Sequence, residues 1–156
     1  MDYENAYRTI AHLAHQPNAA QAIVNYLHDH FTAYSWVRLY WVEGSDLVLG
    51  EWVGPAATGH RRIADRHGVC GAAAASGRTE VVADVSRDPR YLACFSSTKS
   101  EIVVPIFADR AVIGEIDIDG SALNAFGAED QRFLERVAAV LVGVRLGTSA
   151  ARAAGR

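Results

Sequence analysis

Two cysteines and a run of carboxylates are the residues with chemistry to offer. Cys94 lies in the stretch YLACFSSTKSEIVVPIFADRAVIGEIDIDG (residues 91–120), followed by Glu101 and then by Glu115, Asp117 and Asp119 at alternate positions. In a strand, that alternation places the three acids on one face and Ile116 and Ile118 on the other. Acids are disfavoured in strands and like charges side by side repel. Such a row suits a solvated edge, or a site that receives a cation or hands over a proton. The second cysteine, Cys70, sits in GVCG (residues 68–71), just ahead of a short helix at residues 72–76 that Gly77 closes. A thiol near a helix N-terminus is expected to have a lowered pKa. A thiolate can act as nucleophile or metal ligand, and a buried carboxyl can donate a proton.

Whether these groups form one site depends on register. With a two-residue turn at Asp109-Arg110, Glu101 would pair near Ile118 and face away from Asp117 and Asp119. A three-residue loop would bring Glu101 opposite Asp117, and a single site requires that second arrangement.

The rest of the chain supplies elements to hold them. Tyr7, Ile10, Ala11 and Ala14 recur at helical spacing before Gln16-Pro17-Asn18 breaks the pattern; Ala22, Ile23, Tyr26, Leu27 and Phe31 form the stripe of a second helix. Residues 34–42, YSWVRLYWV, read as a strand with Trp36, Arg38 and Tyr40 on one face. Residues 43–46 turn into a second strand at 47–53, residues 54–59 are loop, residues 60–67 are basic and irregular, residues 79–82 form a short strand, and residues 84–93 form a loop. A long helix runs from Ala128 to about Leu146 on a stripe of Phe133, Leu134, Val137, Val140, Leu141 and Val144, and the tail is expected to fray. The fold class is α+β, with a mostly antiparallel sheet of five to six strands flanked by N- and C-terminal helices. The 156 residues form a single domain: helical residues 1–33, a core at 34–146 and a tail at 147–156.

Composition narrows the function. Half of the residues are apolar, and the formal net charge of −3 gives no electrostatic case for nucleic acid or an anionic membrane. No apolar run approaches the roughly 20 residues of a membrane span, and the acidic N-terminus is not a signal peptide, so a cytoplasmic address is the default. Two cysteines are structural thiols or a redox pair rather than a disulfide scaffold. No metal site is expected, because His12 and His15, or His28 and His30, lack further ligands at suitable spacing. His60 and His67 read as solvated residues of a basic loop.

GVCG at residues 68–71, ACFSSTKSEIVVPI at residues 93–106 and GEIDID at residues 114–119 together resemble a GAF domain, more narrowly the free methionine-(R)-sulfoxide reductase branch. The resemblance runs from about Ser35 to Leu141. It implies a GAF-like fold and a thiol-dependent reduction of free methionine sulfoxide through a sulfenic acid and an intramolecular disulfide. Cys94 would be the nucleophile and Cys70 the resolving thiol, or the two roles would be exchanged. Glu101, Asp117 and Asp119 would bind the substrate's amino group and supply the proton, with Glu101 counted among the catalytic groups. Trp36 and Tyr40 would wall the methyl-sulfinyl end. The resemblance also implies no bound cofactor, reduction by external thioredoxin, and a homodimer formed by the terminal helices. The sequence departs from the branch in three places. His60 stands where a third cysteine is common, Arg90-Tyr91 replaces a Gly-His pair, and Phe95 replaces an acid after Cys94. The alternative reading is a non-catalytic GAF sensor that binds a small amine or amino-acid-like ligand, or reports redox state through Cys70 and Cys94.

Overall fold

The computed structural model describes residues 1–155, of which residues 148–154 as backbone only. Helices α1 (Tyr3–Leu13) and α2 (Ala19–His30) lead into strands β1 (Trp36–Glu43) and β2 (Asp46–Val53). Strand β3 (Arg62–Ile63), helix α3 (Gly68–Ser76) and strand β4 (Glu80–Val82) follow, then β5 (Ser100–Ala108), β6 (Ala111–Gly120) and helix α4 (Ala128–Ala154). The strands form one six-stranded sheet in the order β3-β2-β1-β6-β5-β4, and each recorded pairing is antiparallel. No helix among the described residues is long and apolar enough to cross a membrane.

Period-two alternation divides this sheet into two chemically different faces. On one face Val37, Leu39, Trp41, Ile102, Val104, Ile106, Ile116 and Ile118 join Ile10 of α1, Ile23 and Leu27 of α2, and Phe133, Leu134, Val137 and Leu141 of α4 in the main core. The helices get there by amphipathic spacing, and their ends are set by local chemistry. Asp2 caps α1 by accepting from the Asn5 N–H, Asn18 enters α2 with φ 58°, and Gly77 ends α3 with φ 66°. The opposite face carries Trp36, Arg38, Tyr40, Glu101, Val103, Glu115, Asp117 and Asp119. It is covered by α3 and its flanking loops, with Ile63, Val69, Cys70, Ala73, Val82 and Val85 packed around Tyr40 and Val103.

Four expectations change. Helix α3 begins at Gly68 rather than Ala72, so the GVCG segment is helical despite its two glycines. Gly71 is needed there because a Cβ would come within 2.6 Å of the Arg66 backbone. The basic stretch holds the edge strand β3, too short to show a period. The loop at residues 84–93 contains a 3-10 turn, Val85–Arg87, capped by the Asp84 side chain. Helix α4 continues to Ala154, past the end expected near Leu146, where residues 147–156 read as a fraying tail. Small, helix-favouring residues let the backbone run on.

Candidate active site

The hairpin β5–β6 decides the site. Ala108 pairs with Ala111, so Asp109-Arg110 is a two-residue turn, with Asp109 at φ 55°. Two-residue geometry alone would turn Glu101 away from the acids. The register shifts once between Ile106 and Phe107, opposite the extra residue Ile113, and this bulge restores the shared face. Glu101 therefore lies directly opposite Asp119, not Asp117 as the three-residue loop required. On the other side of β6, Trp36 pairs with Asp119, Arg38 with Asp117 and Tyr40 with Glu115. One sheet face thus gathers four carboxylates, one guanidinium and two aromatic rings.

All four carboxylates are buried: Glu101 is 5% exposed, Glu115 0%, Asp117 3% and Asp119 1%. Arg38, itself 1% exposed, is the counter-charge, its Nη2 lying 2.9 Å from Asp117 Oδ2 and 2.8 Å from Asp119 Oδ1. Thr98 donates its hydroxyl to Asp119 Oδ2 at 3.1 Å. Burial raises the pKa of Asp119 from 3.8 to about 6, against the opposing pull of Arg38. Glu101 and Glu115 are pushed well above the ordinary carboxylate value, first by burial, with the charge of Asp117 adding to both. These two are therefore the groups prepared to hold protons.

Cys70 donates its thiol to Asp117 Oδ2 at 3.4 Å and is 5% exposed. The lowering expected from the helix N-terminus is overturned: burial, with Asp117 and Glu115 close by, pushes this thiol well above its ordinary value. Cys94 is half-buried, and its thiol points to the Leu92 carbonyl at 3.5 Å. Burial raises its pKa too, but Thr58 and Arg38 oppose the shift. Both thiols border one void together with Tyr40, His60, Leu92, Glu101 and Asp117. The void measures about 10 Å³, room for about one water molecule. A larger cleft of about 670 Å³ adjoins this loop, bordered by Tyr91, Ala93, Phe95 and Thr98.

The aromatic residues are packed rather than free. Tyr40 donates its hydroxyl to the His60 carbonyl at 2.7 Å. Trp36 stacks on Phe95 with centroids 4.2 Å apart, and Phe95 also faces the Arg38 guanidinium at 5.8 Å. His60, read as solvated, is half-buried and lines the void because Tyr40 ties down its backbone. The sequence reading placed Arg38 on the right face but gave it no role. Its signal was a charged residue in the middle of an aromatic strand, at the same parity as Trp36 and Tyr40. Glu115 was likewise seen but left without a task. Among the described residues, Cys70, Glu101 and Asp117, rather than the histidine pairs, offer ligand atoms that lie within 4.8 Å of one another and could hold a cation.

A family model described as the GAF domain matches residues 17–146. The chain belongs to the GAF family. Within that family, the GAF domain-containing protein A of Dictyostelium discoideum is 38% identical over 107 residues, 68% of this chain and 66% of that protein. The free methionine-R-sulfoxide reductase of Saccharomyces cerevisiae is 39% identical over 111 residues, 69% of this chain and 61% of that protein. The chain thus spans about two thirds of the length of the curated relatives it matches. The GAF fold also superposes on a structure of free methionine-R-sulfoxide reductase from Neisseria meningitidis in complex with its substrate. There the TM-score is 0.85 and the identity 33%, covering 93% of this chain and 91% of that one.

Proposed function

We propose that this GAF domain is a thiol-dependent reductase of free methionine-(R)-sulfoxide. The observation that carries the reading is the single void bordered by both thiols and by two of the buried carboxyls, Glu101 and Asp117. The relatives named for the same activity support it.

Cys94 is the nucleophile. It is the less buried thiol and the one whose thiolate Arg38 stabilises, whereas Cys70 is sealed beside acids that oppose its ionisation. Cys94 Sγ takes the sulfinyl oxygen and becomes a sulfenic acid. The old sulfur–oxygen bond breaks, its electron pair stays on the methionine sulfur, and the oxygen takes a proton from the Glu101 carboxyl. Cys70 then attacks the Cys94 sulfur; a disulfide forms and water leaves. An external dithiol of the thioredoxin class returns both cysteines to thiols. The ammonium group is held by Asp117 and Asp119, which share one guanidinium between them, with the Glu101 carboxyl alongside. Trp36 and Tyr40 wall the methyl-sulfinyl end. Because the closed void admits about one water, the segment carrying Tyr91 to Thr98 must move toward the adjoining cleft to admit substrate. The reading includes a cytoplasmic, cofactor-free enzyme that pairs through α1 and α4, whose shallow groove is bordered by Ala11, Ala14, Val140 and Gly143.

The test incubates the reduced protein with free methionine-(R)-sulfoxide and counts methionine formed and thiols lost, with Cys70→Ser and Cys94→Ser alongside. One methionine per chain with loss of both thiols, and none from Cys94→Ser, is expected. No methionine with both thiols intact would leave a ligand-binding GAF module instead.

A further inference from the structure

Arg38 is a buried cation with incomplete bonding. A single nitrogen, Nη2, serves both aspartates, while Nε and Nη1 are buried with no hydrogen-bond partner. Unpaired N–H donors on a buried cation are costly, because their lost hydration is not replaced. The acids around it keep oxygens without a hydrogen bond of their own, Asp117 Oδ1, Asp119 Oδ1 and Glu101 Oε2, but none of them bonds Nε or Nη1. The guanidinium is roofed by the Phe95 ring, flanked on β1 by Trp36 and Tyr40, and within electrostatic reach of Cys94. These neighbours supply aromatic surface, a hydroxyl already committed to His60, and a thiol.

Two guanidinium donors are thus left free for an acceptor carried by a ligand. Its charge is constrained, because two carboxylates already face the one guanidinium and a further full anion would enter a site of negative balance. A neutral, strongly dipolar oxygen fits better. That oxygen would lie between Trp36 and Tyr40, the residues assigned to the methyl-sulfinyl end, and beside the attacking sulfur.

We propose that Arg38 is a catalytic residue that donates a hydrogen bond to the sulfinyl oxygen of the substrate, holding it for attack by Cys94 and stabilising the negative charge that gathers on it. This rests on the reductase reading above. Arg38 transfers no proton; its guanidinium stays charged through the reaction, and the proton that converts the oxygen to hydroxyl comes from Glu101. The aspartates orient the guanidinium, and Phe95 shields it from water.

The oxygen-specific role is separable from a structural one by comparing two ligands that differ only in that oxygen. Binding of methionine-(R)-sulfoxide and of methionine is measured by calorimetry on Cys94→Ser, which cannot turn over, and on Cys94→Ser combined with Arg38→Lys. Lysine keeps the charge between Asp117 and Asp119 but removes the extra donors. The expected result is at least a tenfold preference for the sulfoxide in the first protein and none in the second, with methionine affinity kept within about twofold. In the otherwise unaltered protein, Arg38→Lys should lower kcat about a hundredfold, the scale of losing one charge-stabilising donor. An Arg38→Lys enzyme as fast as the wild type, or one that retains the sulfoxide preference, overturns the proposal while leaving the reductase reading in place. If both ligands lose affinity together, Arg38 is structural and the proposal fails. If the wild type neither reduces nor binds the sulfoxide, both readings fail.

Discussion

Glu115 offers the sharpest physical test of the buried carboxylate face. It is 0% exposed, lies in the centre of β6 opposite Tyr40, and both of its oxygens lack a hydrogen-bond partner. Burial is the first cause of its raised pKa, so the folded protein favours the protonated form. The sign follows from linkage. A carboxyl whose folded pKa exceeds its unfolded value stabilises the fold fully below the unfolded pKa, 4.5 for this group, and that contribution is lost as pH rises through the folded pKa. While folded Glu115 holds its proton and unfolded Glu115 has lost it, each pH unit costs about 1.4 kcal/mol. That slope holds for as long as the folded group keeps its proton.

Glu115→Gln removes the titration with little change of shape. The variant should match the wild type to within about 1 kcal/mol near pH 5 and gain on it by about 1.4 kcal/mol per pH unit above that. Urea unfolding followed by tryptophan fluorescence and far-ultraviolet circular dichroism, at half-unit steps, gives the difference directly. Taking the difference cancels every other titrating group. Asp119, raised to about 6, adds a loss of about 2 kcal/mol to both proteins between about pH 4.5 and about pH 7.5. The acids with lowered pKa values, Glu4, Asp84 and Asp88, titrate below that range. A flat difference between the two proteins from about pH 5 to about pH 7.5 would mean that Glu115 is ionised in the fold and that the face is wetter than its burial implies.

Other positions test the packing and the thiols separately. Tyr34, 1% exposed, donates its hydroxyl to Asp130 at 2.7 Å, so Tyr34→Phe should cost about 1–3 kcal/mol in urea unfolding. Gly114→Ala would push a Cβ to 2.6 Å from the Tyr40 carbonyl and 2.5 Å from the Trp41 ring; it should destabilise by more than about 2 kcal/mol and lower the yield of folded protein. With a thiol reagent, the native reduced protein should react quickly at Cys94 and slowly at Cys70, because only Cys94 is half-exposed and both reach equal rates once unfolded. Equal native rates would show that α3 does not seal Cys70.

How legible this was from sequence depends on the range over which each feature is determined. Alternation alone assigned Glu115, Asp117 and Asp119 to one face and Trp36, Arg38 and Tyr40 to another, because a strand's parity is local. What joins the two faces is the β1–β6 register, a contact between residues about 80 positions apart, and no local pattern carries it. The β5–β6 hairpin shows the same limit at short range. Both loop lengths were considered, yet the observed answer combines the shorter turn with a bulge at Ile113, whose side chain gives no sign of the irregularity. Helix α3 begins at Gly68, four residues before the predicted Ala72, although two glycines in GVCG disfavour helix. Packing of Val69, Cys70 and Ala73 against the sheet overrides that preference, and the same packing reverses the pKa expected of Cys70.

The departures noted in the sequence are connected in space. Phe95, standing where an acid would follow the cysteine, stacks on Trp36 and faces Arg38. An acid at that position would bring a further negative charge to a guanidinium already shared by Asp117 and Asp119; an aromatic ring instead excludes water and leaves two of the guanidinium nitrogens unsatisfied. Phe95 and Arg38 therefore act as one arrangement, in which the ring keeps the cation dry and the cation faces both aspartates. Removing the ring should lower the constraint on Arg38 more than it disturbs the core, since Phe95 lies on the loop and outside both apolar clusters. Phe95→Ala is thus expected to unfold in urea within about 1 kcal/mol of the wild type. Its losses should fall on kcat rather than on methionine affinity, the same division expected of Arg38→Lys. A loss of global stability as large as a core truncation, about 2–5 kcal/mol, would instead make Phe95 a structural plug and uncouple it from the arginine.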